Sequence, residues 1–95
     1  MTLREIRAQR EVILGIASRY GARNIRVFGS TARGTSNGSS DIDLLVDLEP
    51  GRTLMDLGGL LMDVQSIINA RVDVATERML RPEIRAQALS EAVPL

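Results

Sequence analysis

The sequence predicts an α/β (α+β) fold, in which helices flank a small mixed β-sheet. Two observations indicate this class. Apolar residues recur at helical spacing in several segments, and short runs rich in isoleucine, leucine and valine lie between those segments. The chain has 95 residues, 44% of them hydrophobic, which suffices for one core. Because no linker or internal repeat divides the sequence, we predict a single domain over residues 1–95.

The first third of the sequence predicts a helix, a strand and a loop. A capping box, Thr2-x-x-Glu5, begins the helix, which covers about residues 3–19. A short strand covers residues 25–28. Residues 34–40 contain only glycine, threonine, serine and asparagine, and this composition is typical of a loop.

The middle of the sequence predicts a second strand and a long helix. The strand covers residues 42–48. The helix is indicated by apolar residues at helical spacing, namely Leu54, Leu57, Leu60, Leu61, Val64, Ile67 and Ile68. Gly58 and Gly59 lie inside this helix, and each should cost it about 1 kcal/mol relative to alanine.

The last part of the sequence predicts one more strand and one more helix. Residues 71–75 alternate apolar and polar side chains and predict the strand. Pro82 suits the first turn of a helix over about residues 82–91. The predicted order is therefore helix, strand, strand, helix, strand, helix, which favours a small sheet covered by helices.

Composition limits the chemistry that is available. The sequence has no cysteine, no histidine and no lysine. This excludes thiolate chemistry, disulfides, the usual zinc ligands and a histidine general base, so catalysis would depend on carboxylates, hydroxyls and arginines. Absence of cysteine, of a secretory signal and of a membrane-length apolar run is typical of a cytoplasmic protein. We therefore expect cytoplasmic localisation and no membrane partner.

Two aspartates stand at the start of the second strand. Side chains alternate along a strand. The face predicted to pack on the core carries Ile42, Leu44 and Val46, and the other face carries Asp41, Asp43, Leu45 and Asp47. Asp41 and Asp43 then lie about 6.6 Å apart along the strand, where they repel each other unless a cation separates them. Oxygen ligands without histidine or cysteine select Mg²⁺ or Mn²⁺.

A third carboxylate, Asp73, lies between two valines in the last predicted strand. A carboxylate buried there would be costly without a counter-charge. If the strands are adjacent, Asp73 reaches the same place as Asp41 and Asp43, and three carboxylates can hold two metal ions. Asp47, by contrast, is interpreted as a solvated residue.

Gly29-Ser30 ends the first strand, and residues 31–33 predict a short helix after it. Such a turn offers backbone N–H groups and a hydroxyl to phosphate, although an ordinary strand exit is the alternative interpretation. Residues 29–36 approach a P-loop pattern, but the lysine that this motif needs is missing. The aspartates also lack the glycine and spacing of an EF-hand calcium loop.

In combination these residues resemble the nucleotidyltransferase superfamily of DNA polymerase beta. Gly29-Ser30, ten further residues, Asp41-x-Asp43 and a later Asp73 match its motif. The short chain is similar to minimal, MNT-type members, which are commonly the antitoxin half of HEPN–MNT toxin–antitoxin pairs. The resemblance covers nearly the whole chain and implies a polymerase beta-like palm fold.

The resemblance also implies roles for the residues. Asp41 and Asp43 would bind two Mg²⁺ ions, with Mn²⁺ as a possible substitute, and Asp73 would complete the metal site and help to activate the acceptor hydroxyl. Gly29-Ser30 would hold the phosphates of the nucleotide. Arg33 matches the frequent Gly-Ser-x-Ala-Arg-Gly form of the motif, and either a phosphate contact or a salt bridge within the fold is open to it.

The implied reaction is transfer of AMP from ATP to a hydroxyl, such as that of a tyrosine, on a partner HEPN toxin. Two alternatives stay open: a non-catalytic antitoxin that occludes its toxin, and a nucleotidyltransferase that acts on a small molecule. We expect the toxin and ATP as partners, an oligomer formed with the toxin, and no direct contact with nucleic acid. The partner is expected to dock on apolar helix surface and on the C-terminal tail, residues 92–95.

Overall fold

A computed structural model describes residues 1–34 and 41–95, so most of the predicted loop over 34–40 lies outside the described residues. Four strands form one mixed sheet within this part of the chain. They are β1 (Ala22–Phe28), β2 (Ile42–Leu48), β3 (Val72–Ala75) and β4 (Val93–Pro94), in the spatial order β3-β2-β1-β4. β1 pairs antiparallel with β2 and β4, whereas β2 pairs parallel with β3. The predicted fold class is confirmed.

Five α-helices accompany the sheet in the described residues. They are α1 (Leu3–Ala8), α2 (Arg10–Arg19), α3 (Ser30–Arg33), α4 (Leu54–Ile68) and α5 (Pro82–Glu91). A 3₁₀ turn at Glu77–Met79 joins β3 to α5. Thr2 and Glu5 form the predicted capping box at α1, and Pro82 is the first residue of α5 as predicted. No helix within residues 1–34 and 41–95 has the length and apolar character needed to cross a membrane.

The prediction of one helix over residues 3–19 is wrong, because the helix is broken at Gln9. The backbone of Gln9 has φ −100° and ψ 13°, outside the α-helical region. The side chains around the break, from Arg7 to Glu11, include no large apolar residue that could hold this turn against the core. Ile6 and Ile13, on the two sides of the break, are both buried.

The first strand is longer than predicted, since it begins at Ala22 instead of residue 25. Its pairing with β2 shifts register between Arg23 and Arg26, and Asn24 there has φ +53°. A bulge of this kind interrupts the two-residue periodicity, so the pattern in the sequence does not reveal the start of the strand.

The C-terminal tail, which the sequence analysis predicted as a docking segment, forms an edge strand of the sheet. Val93–Pro94 pairs with β1, and the backbone N–H of Leu95 donates to the carbonyl of Ile25 at 2.9 Å. The side chain of Leu95 is buried. A strand of two residues is too short for periodicity to predict it.

The main core lies between one face of the sheet and the helices on it, and Ile42, Leu44 and Val46 face it as predicted. Leu45, predicted on the other face with the aspartates, is fully buried but lies outside the main core cluster. Ala88 of α5 is likewise buried outside that cluster, and α5 contacts β1. The aspartates therefore stand beside a covered surface.

Candidate active site

The centre of the site is a pair of carboxylates on neighbouring parallel strands. Asp43 of β2 and Asp73 of β3 are register partners, so their side chains leave the same face of the sheet side by side. This is the adjacency that the sequence analysis required for Asp73. Asp73 is exposed, because β3 is an edge strand, and Asp43 is half-buried. The burial argument therefore applies to Asp43 and was wrong for Asp73.

The electrostatics of Asp43 show that the negative charge of this pair is only partly balanced. Burial raises the pKa of the Asp43 carboxyl above its ordinary value, and the negative charges of Asp73 and Asp41 raise the pKa further. Arg33 opposes these effects only in part. A cation between the carboxylates would relieve both the repulsion and the cost of burial.

Asp41 directly precedes β2, at the edge of the site. Its Oδ1 lies 3.5 Å from Nε of Arg71, the residue that directly precedes β3. In the part of the chain that the structure describes, no three acidic side chains converge closely enough to hold a metal ion. The three predicted ligands thus share one end of the sheet, but Asp41 is engaged by Arg71.

Gly29 brings the Gly29-Ser30 turn against the carboxylates. Its backbone has φ 74° and ψ −154°, a region that is essentially restricted to glycine. A Cβ atom on this residue would lie 2.5 Å from Oδ2 of Asp43. The turn is therefore fixed next to Asp43 by direct contact. The predicted short helix over residues 31–33 is present as α3, which begins one residue earlier at Ser30 and ends at Gly34 in the left-handed region.

Arg33 forms the salt bridge that was one of its two predicted alternatives. Its Nη1 donates to Oε2 of Glu91 at 2.9 Å, and Nε2 of Gln87 donates to the other oxygen of Glu91 at 3.2 Å. The guanidinium nevertheless acts on Asp43, whose pKa it lowers. Glu91 was missed by the sequence analysis, because 58 residues separate it from Arg33 and no local pattern links them.

A cleft of about 820 Å³ lies at the C-terminal ends of β2 and β3. It is lined by residues 46–52 together with Thr76, Glu77, Arg78 and Arg85. Asp47, beside this cleft, accepts from Arg26 at 2.9 Å and is a structural residue. The carboxylates lie at the N-terminal ends of the same strands, away from this cleft. The candidate site is therefore identified by its carboxylates and not by the cleft.

Comparison with known proteins decides the family. The profile of the family described as "Nucleotidyltransferase domain" matches residues 10–95. The chain belongs to the nucleotidyltransferase family. All the predicted site residues of this nucleotidyltransferase lie inside the matched range.

Two curated relatives of this nucleotidyltransferase are named as enzymes. One, named as a protein adenylyltransferase of Methanocaldococcus jannaschii, is 33% identical over 93 residues, which are 98% of this chain and 97% of the relative. Another, protein adenylyltransferase MntA of Thermococcus cleftensis, is 35% identical over 78 residues, which are 82% of this chain and 79% of the relative. The prediction of an enzyme is confirmed.

Solved structures agree with this assignment. A structure described as a minimal nucleotidyltransferase superposes on the chain with a TM-score of 0.88 at 47% identity, covering 100% of this chain and 97% of the other. A crystal structure of a toxin–antitoxin pair with AMP-PNP superposes with a TM-score of 0.74 at 21% identity, covering 88% of this chain and 69% of the other. The predicted resemblance to minimal nucleotidyltransferases is confirmed.

Proposed function

We propose that this nucleotidyltransferase transfers AMP from ATP to a hydroxyl of a partner protein, with residues 1–95 acting as a single minimal domain. The observation that carries this proposal is the juxtaposition of the Asp43–Asp73 pair with the Gly29 turn. It sets a crowded carboxylate pair beside backbone N–H groups at the start of a helix. The names of the two curated relatives favour a protein as the acceptor.

The carboxylates fit a pair of Mg²⁺ ions, with Mn²⁺ as a substitute. Their donor atoms are all carboxylate oxygens, which these ions prefer. Burial, and then the negative charges of Asp73 and Asp41, raise the pKa of Asp43, and a cation would offset these effects. Asp41 and Asp43 would hold the ions, and Asp73 would complete the site once Asp41 has left Arg71. When bound, the ions would stabilise negative charge on the phosphoryl oxygens and on the leaving group.

The other residues bind and orient the reactants. Backbone N–H groups at Gly29 and Ser30, with the Ser30 hydroxyl, would donate to the phosphates of ATP. Asp73, on the edge strand, would accept the proton of the acceptor hydroxyl as its oxygen attacks the α-phosphorus. The bond from that phosphorus to the bridging oxygen then breaks and pyrophosphate leaves. Arg33 is close enough to act electrostatically on Asp43, so its guanidinium would face the same anionic reactants.

We further propose that the partner is a HEPN toxin, that a tyrosine accepts AMP and that the chain is its cytoplasmic antitoxin. The name of the MntA relative and the toxin–antitoxin pairs among structures of the same fold support this assignment. Exposed apolar side chains on α4 offer a surface for such a partner, namely Leu54, Met55 and Met62.

A second candidate is an antitoxin that works by occlusion alone. One observation favours it, since no three acidic side chains converge on a metal position within residues 1–34 and 41–95. The two functions differ in what Asp43→Asn does in cells that express the toxin. Catalytic neutralisation predicts loss of protection by this variant, whereas occlusion predicts full protection.

Thermal melts test the proposed site. Mg²⁺ with a non-hydrolysable ATP analogue should raise the melting temperature of the parent protein, because a ligand at 100 times its Kd stabilises the fold by about 2.7 kcal/mol. Asp43→Asn and Asp73→Asn should abolish the rise. Glu49→Gln, which removes a charge just beyond the far end of β2, should keep it. An unchanged melting temperature of the parent protein would rule out the proposed metal–nucleotide site.

A further inference from the structure

Arg71 lies at the edge of the carboxylate centre, and the sequence analysis gave it no role. Its Nε lies 3.5 Å from Oδ1 of Asp41, and its side chain is 85% exposed. The carbonyl of Arg71 accepts the N–H of Ile42 at 2.9 Å, so the backbone fixes Arg71 beside the residue that precedes β2. The pairing of β2 with β3 therefore places the backbone of Arg71 where its side chain can reach Asp41.

Among the three predicted metal ligands, Asp41 alone forms an ion pair with another described residue. Asp43 and Asp73 are register partners that repel each other. The positive charge of Arg71 thus acts on Asp41 and not on the Asp43–Asp73 pair. In the described residues, no three acidic side chains converge on a metal position while Asp41 is paired with Arg71.

We propose that Arg71 is a built-in counter-cation of Asp41 at the edge of the carboxylate centre. It holds Asp41 in a resting position and must release it before Asp41 can bind a metal ion together with Asp43. This inference rests on the proposed function. Because exposed ion pairs are weak, Arg71 competes with the metal without blocking it. The ion pair with Asp41 therefore lowers the affinity of the site for the metal ion. Arg71 acts through Asp41 and is a positioning residue.

Binding of Mn²⁺ to the nucleotide-free protein tests this proposal. Electron paramagnetic resonance of the unbound ion gives the affinity directly, with circular dichroism as a check of folding. Arg71→Ala should bind Mn²⁺ about two- to five-fold more tightly than the parent protein, which is the range expected for loss of an exposed ion pair. Arg71→Lys, which keeps the charge, should lie between the two. Arg81→Ala removes an equal charge at the start of α5 and should leave the affinity unchanged.

A double-mutant cycle separates competition at Asp41 from a general electrostatic effect. In an Asp41→Asn background the affinity gain from Arg71→Ala should vanish, because no carboxylate is left for Arg71 to hold. An equal gain in that background, or weaker Mn²⁺ binding by Arg71→Ala, would overturn the role of Arg71 while the metal site stands. A folded parent protein that binds no Mn²⁺ at millimolar concentration would overturn both the role of Arg71 and the proposed metal site.

Discussion

Gly29 approaches Asp43 so closely that a Cβ atom on residue 29 would lie 2.5 Å from the Oδ2 atom of Asp43. The register of the sheet produces this contact, since Phe28 at the end of β1 faces Asp43 near the start of β2. The glycine is therefore required by the protein's own carboxylate, whether or not a phosphate is bound. The contact brings the two parts of the sequence motif, Gly29-Ser30 and Asp41-x-Asp43, together in one site.

Gly29→Ala should destabilise the protein by about 1–3 kcal/mol, since alanine is strained at this backbone conformation and its Cβ would displace Asp43. Gly34→Ala is the matched control, because Gly34 also has a positive φ, of +76°, but no atom of the described residues lies within 4 Å of its Cβ position. The control should lose about 1–2 kcal/mol and keep nucleotide binding. Urea unfolding measures the stability and calorimetry the binding. Retention of full nucleotide affinity by Gly29→Ala would contradict a site built on this contact.

Asp43→Asn should make the metal-free protein more stable at neutral pH. Burial and the neighbouring aspartates raise the pKa of Asp43 in the folded state, so folding favours the protonated carboxyl. That contribution is fully present below the unfolded pKa, of about 3.9, and is lost as the pH rises through the folded pKa. Asparagine resembles the protonated form at every pH. The advantage of Asp43→Asn should therefore shrink as the pH falls towards 4.

Urea unfolding in EDTA at pH 7 and at pH 4 measures this difference in stability. Asp47→Asn is the control on the same strand. Asp47 accepts from Arg26 at 2.9 Å, so its replacement should destabilise the protein slightly at pH 7. An Asp43→Asn variant less stable than the parent at neutral pH would show that the carboxylate is not in conflict with its surroundings.

The adjacent glycines of α4 should respond in opposite directions to alanine. Within residues 1–34 and 41–95, nothing lies within 4 Å of the Cβ position of Gly58, so Gly58→Ala should stabilise the helix by about 1 kcal/mol. The Cβ of Gly59→Ala would overlap the ring of Tyr20, whose hydroxyl donates to Oδ2 of Asp63 at 2.7 Å. That crowding should cost about 1–3 kcal/mol. Thermal or urea unfolding of the two variants measures the effects, and stabilisation by both would show that Tyr20 moves away freely.

The parts of the site that the sequence predicted depend on periodicity and on short spacings. Alternation along β2 and β3 placed Asp43 and Asp73 on one face, and parallel pairing brought them together. The same alternation placed Leu45 with the aspartates but did not predict that Leu45 is buried. Its burial depends on tertiary packing, which no local pattern records.

The contacts that the sequence could not predict join residues that are far apart in the chain. Glu91 reaches Arg33 only because α5 is placed beside α3 by the pairing of β4 with β1. Arg71 meets Asp41 only because β2 and β3 are neighbours. The identity of such partners follows from the topology of the sheet, which the pattern of elements left open.

The proposed transfer is tested most directly by the intact mass of a candidate HEPN partner after incubation with the protein, ATP and Mg²⁺. The partner should gain the mass of AMP with the parent protein. It should gain none with Asp41→Asn or Asp43→Asn, because the phosphoryl oxygens would lack their cation in the transition state. A pull-down should recover the complex in all three cases. An unmodified partner recovered in complex with the parent protein would contradict the proposed enzyme and leave occlusion as the function.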